Sequence, residues 1–292
     1  MSSKNMIPES ELILNKDGSV YHLHLLPEDI ADTIFLVGDP DRVKKVSKYF
    51  DRIEVKKQKR EFITHTGYIG KKKFSVLSTG IGTDNIDIVL NELDALANIN
   101  LKTREPRKKT KILRLIRLGT SGALQKDIPV DIMVVSSHGL GLDGLLNYYK
   151  LKYTKKEQEL LDAFNHYFHD EHLFPKTYMA KAPGELVQLL GRNHITGITA
   201  TCSGFYGPQG RTLRTTLQKP DLIDVLANFK HGANRITNFE METSAIYGLA
   251  SVFGHQACSV NTIIANRPNK LFSVQADKSI DRMIRTVLEL LS

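Results

Sequence analysis

Arginines, a glutamine and paired carboxylates recur in this sequence where an apolar run gives way to small residues. The sharpest case is Ile112–Gly122, in which Arg114 and Arg117 interrupt an apolar run before Gly119-Thr120-Ser121-Gly122. A guanidinium taken out of water is costly unless an anion meets it. Glycines let a backbone come close to a ligand, and the hydroxyls between them can hydrogen-bond it. The stretch therefore reads as a buried strand that breaks into an anion-binding turn, at the end of a strand where α/β sheets bind ligands. The plainer alternative is an ordinary strand with Arg117 reaching out to water. Gly38-Asp39-Pro40-Asp41-Arg42 offers a second anion site: Asp39 suits a helix N-cap, Pro40 suits the first turn, and free backbone N–H groups lie beside Arg42. In Ser203–Arg211 aromatics stand with Gln209 and Arg211 among glycines, a mixture that can stack on a flat ring and read its edge. Glu240-Met241-Glu242 places carboxylates at a strand end, able to hold sugar hydroxyls or to cap the following helix. No activated serine or cysteine nucleophile is evident.

The elements that must hold these residues follow from periodicity. Ile34–Val37, Asp131–Ser137, Ile195–Cys202, Arg235–Phe239 and Cys258–Ala265 read as strands, and Arg60–Tyr68 with Lys73–Ser78 as a hairpin around Gly70. Tyr21–Leu25 alternates like a short edge strand. Helical patterns follow Pro40 through Tyr49, follow Asp84 as cap with Ile86, Val89, Leu93 and Leu96 on one face, and cover Leu160–His172, Pro183–Leu190, Leu222–Phe229, Ser244–Phe253 and Ala276–Leu291. Strands and helices alternate throughout without repeats or a Gly/Ser linker. The expected fold class is therefore α/β, a single-domain three-layer αβα arrangement around a mixed central sheet, with residues 1–20 as an N-terminal extension to one domain over 1–292.

The 292 residues, 41% apolar, can fill a substantial core. Cys202 and Cys258 stand alone, which suits a reducing, cytoplasmic compartment, and Met1–Glu11 carries no apolar leader. No apolar run reaches membrane-spanning length, so no membrane partner is expected. The net charge of +8 suits nucleic acid, an anionic membrane or a small anionic substrate. A nucleic-acid-binding protein should interleave its basic residues with exposed aromatics; the basic stretches here are aromatic-poor, and Lys102–Lys111, which contains Pro106, reads as a solvated loop. His166, His169 and His172 lie three apart, but that spacing drifts around a helix and no acidic ligand is clearly placed, so no metal site is expected.

Taken in order, Gly38–Arg42, Arg60-Glu61-Phe62, Ser78-Thr79-Gly80-Ile81-Gly82, Arg117–Gly122, Phe205–Arg211, Phe239–Glu242 and Asn266-Arg267 resemble the type-I nucleoside phosphorylase family, within it most nearly the uridine phosphorylases. The resemblance implies phosphorolysis of a pyrimidine nucleoside, uridine and phosphate giving uracil and ribose 1-phosphate, with phosphate as co-substrate and no other cofactor. It implies that Gly38, Arg42, Arg117 and Thr120 bind phosphate, with Arg60 lent to a neighbouring subunit. Met241, Glu242 and Glu240 match the ribose site, and His22 matches a histidine that reaches the sugar across a dimer interface, so a homo-oligomer built from dimers with shared sites is implied. Phe205, Gln209 and Arg211 match the base site, Thr120, Ser121 and Gly122 line the junction, and Arg267 flanks the base loop. Of these, Arg117, Thr120, Gln209, Arg211 and Glu242 are the expected catalytic set.

The sequence also departs from the family. Purine-cleaving relatives carry Ser-Asp where Asn266-Arg267 stands, and Asn266 has no proton to give, which favours a pyrimidine. A nucleosidase using water should lack the phosphate arginines. Thr83-Asp84-Asn85 departs from the commoner bacterial loop and leaves the monovalent-cation site of some relatives without support, although Glu61 is present. Leu101–Thr110 reads as an insertion, and Gly207-Pro208 inverts the usual order.

Overall fold

A computed structural model describes residues 6–169 and 173–292. The chain enters the sheet at β1 (Thr33–Val37), whose burial on both faces suits its unbroken apolar run. Helix α1 (Pro40–Ser47) starts as the sequence indicates: Asp39 accepts the Asp41 N–H, with Pro40 in the first turn. Strands β2 (Arg52–Lys59), β3 (Phe62–Ile69) and β4 (Lys72–Ser78) form an antiparallel meander that leads into α2 (Thr83–Asn98). Two short strands, β5 (Ile99–Asn100) and β6 (Glu105–Pro106), pair before β7 (Arg114–Ala123) and β8 (Met133–Gly141). Then follow α3 (Lys155–Phe168), β9 (Tyr178–Lys181), α4 (Gly184–Gly191), β10 (Ile195–Thr201), α5 (Leu222–Asn228), β11 (Lys230–His231), β12 (Asn234–Glu240), α6 (Thr243–Phe253), β13 (Gln256–Asn266), β14 (Leu271–Phe272) and α7 (Ala276–Leu291).

The sheet is mixed, as expected. Its order runs β11-β12-β10-β8-β13-β7-β1-β4-β3-β2, and β12 also pairs antiparallel with β7 through Asn238–Ala123 and Phe239–Gly122. That extra pairing closes β12, β10, β8, β13 and β7 into a ring. Helix α6 packs on β8, β10 and β13, α7 on β7 and β13, and α1 on β3 and β4. The main core gathers Phe35, Leu36, Ile116, Leu118 and Val260 from the strands with Leu90, Leu93, Ile246, Leu249, Ile284 and Val287 from the helices.

Several expectations are corrected. Tyr21–Leu25 is not a strand; the backbone turns there, and the N–H groups of His22 and Leu23 go to the Glu92 carboxylate rather than to a neighbouring strand. The strand around Arg117 does not break at Gly119; β7 continues to Ala123 because β13 pairs with it along that length, absorbing a bulge between Ile263 and Ala265. Arg114 is exposed, so Arg117 alone of the two is the buried guanidinium. Helix α2 begins one residue before Asp84, with Gly82 at the cap position at φ +94°, a conformation suited to glycine. Helix α3 starts at a capping box in which Thr154 and Glu157 satisfy each other's N–H groups, earlier than the Leu160 of the sequence reading, and ends at Phe168. His172 lies outside the described residues. The basic stretch 102–111 carries a small hairpin and is mostly exposed; Arg104 within it accepts the Ile7 N–H on its carbonyl and gives its guanidinium to the Leu12 carbonyl, pinning the N-terminal segment.

Candidate active site

Five strand ends and two loops enclose a cavity of about 660 Å³ lined by Gly38, Arg42, Arg117, Thr120, Ser121, Gly122, Phe205, Gln209, Arg211, Glu240, Met241 and Glu242, all named from the sequence. Glu61, Gly80, Ile81, Asn85, Phe239, Ile264, Ala265 and Phe272 also line it. Residues about two hundred positions apart, such as Gly38 and Glu242, meet because β1 and β7 are parallel neighbours and β12 closes on β7.

Arg117 sits at the floor. Nη1 donates to Asn261 Oδ1 at 2.6 Å and Nη2 to Glu242 Oε2 at 2.5 Å, with Glu240 Oε2 3.1 Å from the same nitrogen. Strand alternation puts Gly119 on the same face as Arg117, and a Cβ there would lie 1.6 Å from Nη1, so the guanidinium occupies the space a side chain would need. Burial alone would loosen the Arg117 proton; the charges of Glu240 and Glu242 more than reverse this and hold it above the usual range. Arg42, half-buried, donates to the Leu118 carbonyl at 3.2 Å. Burial and then the like charge of Arg117 lower its pKa, so an anion that joins Arg42 and Arg117 relieves a repulsion.

The two carboxylates divide their work. Glu240 accepts the N–H groups of Glu242 and Thr243, each at 3.0 Å, and the Thr201 hydroxyl at 2.8 Å. It thereby caps α6 from the preceding strand, and its oxygens are fully engaged. Burial raises its pKa, Arg117 pulls it back, and Glu242 adds to the rise; the net position is above the usual carboxylate range. Glu242 makes fewer bonds, with Oε1 accepting the Gly82 N–H at 2.8 Å and Oε2 on Arg117.

On the opposite wall Arg211 donates to Gln209 Oε1 at 2.7 Å and to the Phe205 carbonyl, and its guanidinium stacks 3.7 Å from the Phe205 ring centre. Gln209 is buried, and its Oε1 is taken by Arg211, which turns the amide into a fixed reader. Arg267 does not line the cavity. It donates to the carbonyls of Gln209 and Gly210 at 3.0 and 3.2 Å and so holds the base loop, in keeping with a flanking position. Asn266 is also turned away: its amide donates to the Gln125 and Ile128 carbonyls and its oxygen accepts the Asn269 N–H.

His22 and Arg60 are not brought into the cavity by this chain. The His22 Nδ1 lies 2.7 Å from Glu92 Oε1, and Arg60 is exposed at the turn between β2 and β3 with φ +54°. Asn261, which fixes Arg117, went unread in the sequence. Its signal was available: an asparagine inside the apolar run Cys258–Ala265 must find partners when buried.

A profile of the Phosphorylase superfamily matches residues 32–292. Among curated proteins, a uridine phosphorylase of Thermococcus kodakarensis is 29% identical over 269 residues, covering 90% of this chain and 83% of that protein. A purine nucleoside phosphorylase of the DeoD type from Buchnera aphidicola is 25% identical over 93% of this chain and 98% of its own length. Among solved structures, a Trypanosoma brucei nucleoside phosphorylase described as showing uridine phosphorylase activity superposes with a TM-score of 0.88 at 29% identity, covering 96% of this chain and 99% of that one.

Proposed function

The chain belongs to the phosphorylase superfamily, and from that premise we propose that it is a uridine phosphorylase, converting uridine and phosphate into uracil and ribose 1-phosphate. The observation that carries this reading is the meeting, in one cavity, of Arg42, Arg117 and Thr120 with Glu242 on one side and the Gln209–Arg211 pair on the other. Phosphate is itself the nucleophile, so the site supplies charge and orientation. Arg42 and Arg117 grip its oxygens, and Thr120 and the Gly38 backbone complete the cradle. Glu242 holds the 2′ and 3′ hydroxyls, with Met241 beside it, and sets the anomeric carbon in line with the phosphate. Glu240 acts through others, by capping α6 and anchoring Arg117.

Bond cleavage passes through an oxocarbenium-like state, as in glycoside hydrolysis. Electrons depart with the base, and negative charge grows on its oxygens. The donors of Gln209 and Arg211 meet that charge, and their mutual bond positions them before substrate arrives. The Arg211 pKa is lowered, by burial first and by Arg267 next, so its charge is met better by an anionic uracil than by water-poor protein. Ser121, Gly122 and Phe205 complete the wall around the base. The whole chain acts as one phosphorylase unit working in the cytoplasm as a homo-oligomer built from dimers, in which His22 and Arg60 reach the partner's sugar and phosphate.

A panel of uridine, deoxyuridine, thymidine, inosine and adenosine, incubated with and without phosphate, tests the reading. Uracil release that requires phosphate and exceeds purine release is expected; release of base without phosphate, or faster from inosine, overturns it.

A further inference from the structure

The tightest side-chain pairing in the cavity joins the two substrate subsites. Arg117, assigned to phosphate, gives Nη2 to Glu242 Oε2 at 2.5 Å, and Glu242, assigned to ribose, has its other oxygen on the Gly82 N–H at 2.8 Å. Both side chains are more than nine-tenths buried. In this arrangement each substrate meets a group already engaged by the other substrate's group. A phosphate dianion approaching Arg117 also approaches a carboxylate that claims the same guanidinium, and ribose hydroxyls approaching Glu242 must share it with a cation.

We propose that phosphate and nucleoside bind cooperatively through an exchange of partners at Arg117. The 2′ and 3′ hydroxyls take over Glu242 Oε2, and the released Nη2 hydrogen turns to phosphate. The inference rests on the uridine phosphorylase reading and adds to it a coupling between the substrates. Two features make the exchange feasible. Arg117 is never left unpaired, because Asn261 keeps Nη1 at 2.6 Å and Glu240 stays 3.1 Å from Nη2. Glu240 itself cannot follow Glu242, since the α6 N–H groups and Thr201 hold it. The hydroxyls that reach Glu242 also spread its charge, which lessens its repulsion of the incoming dianion. By linkage the effect is mutual: phosphate that draws Arg117 away frees Glu242 for the sugar by the same factor.

The test measures inorganic phosphate binding calorimetrically, alone and with saturating carbocyclic uridine, whose ring methylene cannot support oxocarbenium-like cleavage but which keeps the base edge and both hydroxyls. Phosphate affinity should rise about tenfold, within the usual span of such couplings. The 2′,3′-dideoxy form of the same analogue should raise it far less. Glu242→Gln, which removes the competing charge, should bind phosphate alone nearly as tightly as the wild type does with the analogue present, and should respond little to the analogue. If carbocyclic uridine binds but leaves phosphate affinity unchanged, the exchange is overturned while the uridine reading stands. Unaltered phosphate affinity of Glu242→Gln, in the absence of nucleoside, overturns it as well. If the carbocyclic compound does not bind with or without phosphate, the reading beneath the exchange falls and the exchange falls with it.

Discussion

A side chain's place can depend on one that is missing. The Arg117 guanidinium lies where a Cβ on Gly119 would be, with Asn261 Oδ1 also only 2.7 Å from that point. Gly119→Ala therefore forces the end of a flexible side chain to move, not the backbone, and the protein should still fold. The phosphate grip should not survive. We expect kcat/KM to fall about a hundredfold, comparable to removing one preorganised donor from an active site, with the phosphate KM raised; steady-state kinetics beside a thermal melt separates the two effects. The sequence disclosed Arg117 and Gly119 as neighbours of chemical interest. It did not disclose that one makes room for the other, because the strand was expected to end at that glycine, and a turn would have carried the Arg117 side chain away from the space above Gly119.

Elements carry the next level of constraint. Helix α6 begins against the Glu240 carboxylate rather than against a capping side chain of its own first turn. Glu240→Ala should leave N–H groups and the Arg117 charge less well met in a buried place, and we expect about 3–5 kcal/mol of lost stability by chemical denaturation. A second case joins α1 to β3. His65 is buried with Nδ1 2.8 Å from the Ser47 hydroxyl, and burial first, then Lys56 and Lys44, lower its pKa. Below about pH 6.5, the ordinary histidine value, the unfolded chain takes up a proton that native His65 refuses, so the stability His65 contributes is present above that pH and is lost as pH falls toward its depressed native value. The slope of Tm between pH 7 and 5 should be shallower in His65→Asn than in the wild type; an unchanged slope would exclude this source of acid sensitivity. Most elements were legible from apolar periodicity, and α7 was read to its ends. Strand β2 was not read at all, since Arg-Ile-Glu-Val-Lys-Lys-Gln-Lys has charged residues on the open face of an edge strand and only half-buried ones opposite. The turn at Tyr21–Leu25 was misread because its partner, Glu92, lies seventy residues away.

At the scale of the whole molecule, the cavity within one chain gathers every expected site residue except His22, Arg60 and Arg267, and Arg267 supports the base loop from behind. His22 and Arg60 are the two expected to serve a neighbouring subunit across an isologous interface. Arg60→Ala and Arg117→Ala proteins, each inactive alone, should regain activity when their subunits exchange, since a mixed dimer holds one site with neither substitution. No recovery after demonstrated exchange would place the site within one chain. The charge pattern was legible only in part: the exposed stretch 102–111 follows from composition, whereas its hold on the N-terminal segment through Arg104 depends on a hairpin that two-residue strands leave no periodicity to reveal.

The ring of five strands has a consequence for how the chain reaches its native form. Its members come from 114 to 266, and the pairing of Phe239 with Gly122 joins segments more than a hundred residues apart. That seam lies beside the cavity, with buried Arg117 carried on one side of it and buried Glu242 on the other, so the contact that completes the ring also brings the guanidinium to its carboxylate. Non-local pairings of this kind are slow to form because chain closure must precede the gain from contact. An ordered half of the sheet built on β1 and β7 would therefore hold the phosphate arginines without the carboxylates that follow β12, and the complete site emerges together with topological closure rather than ahead of it.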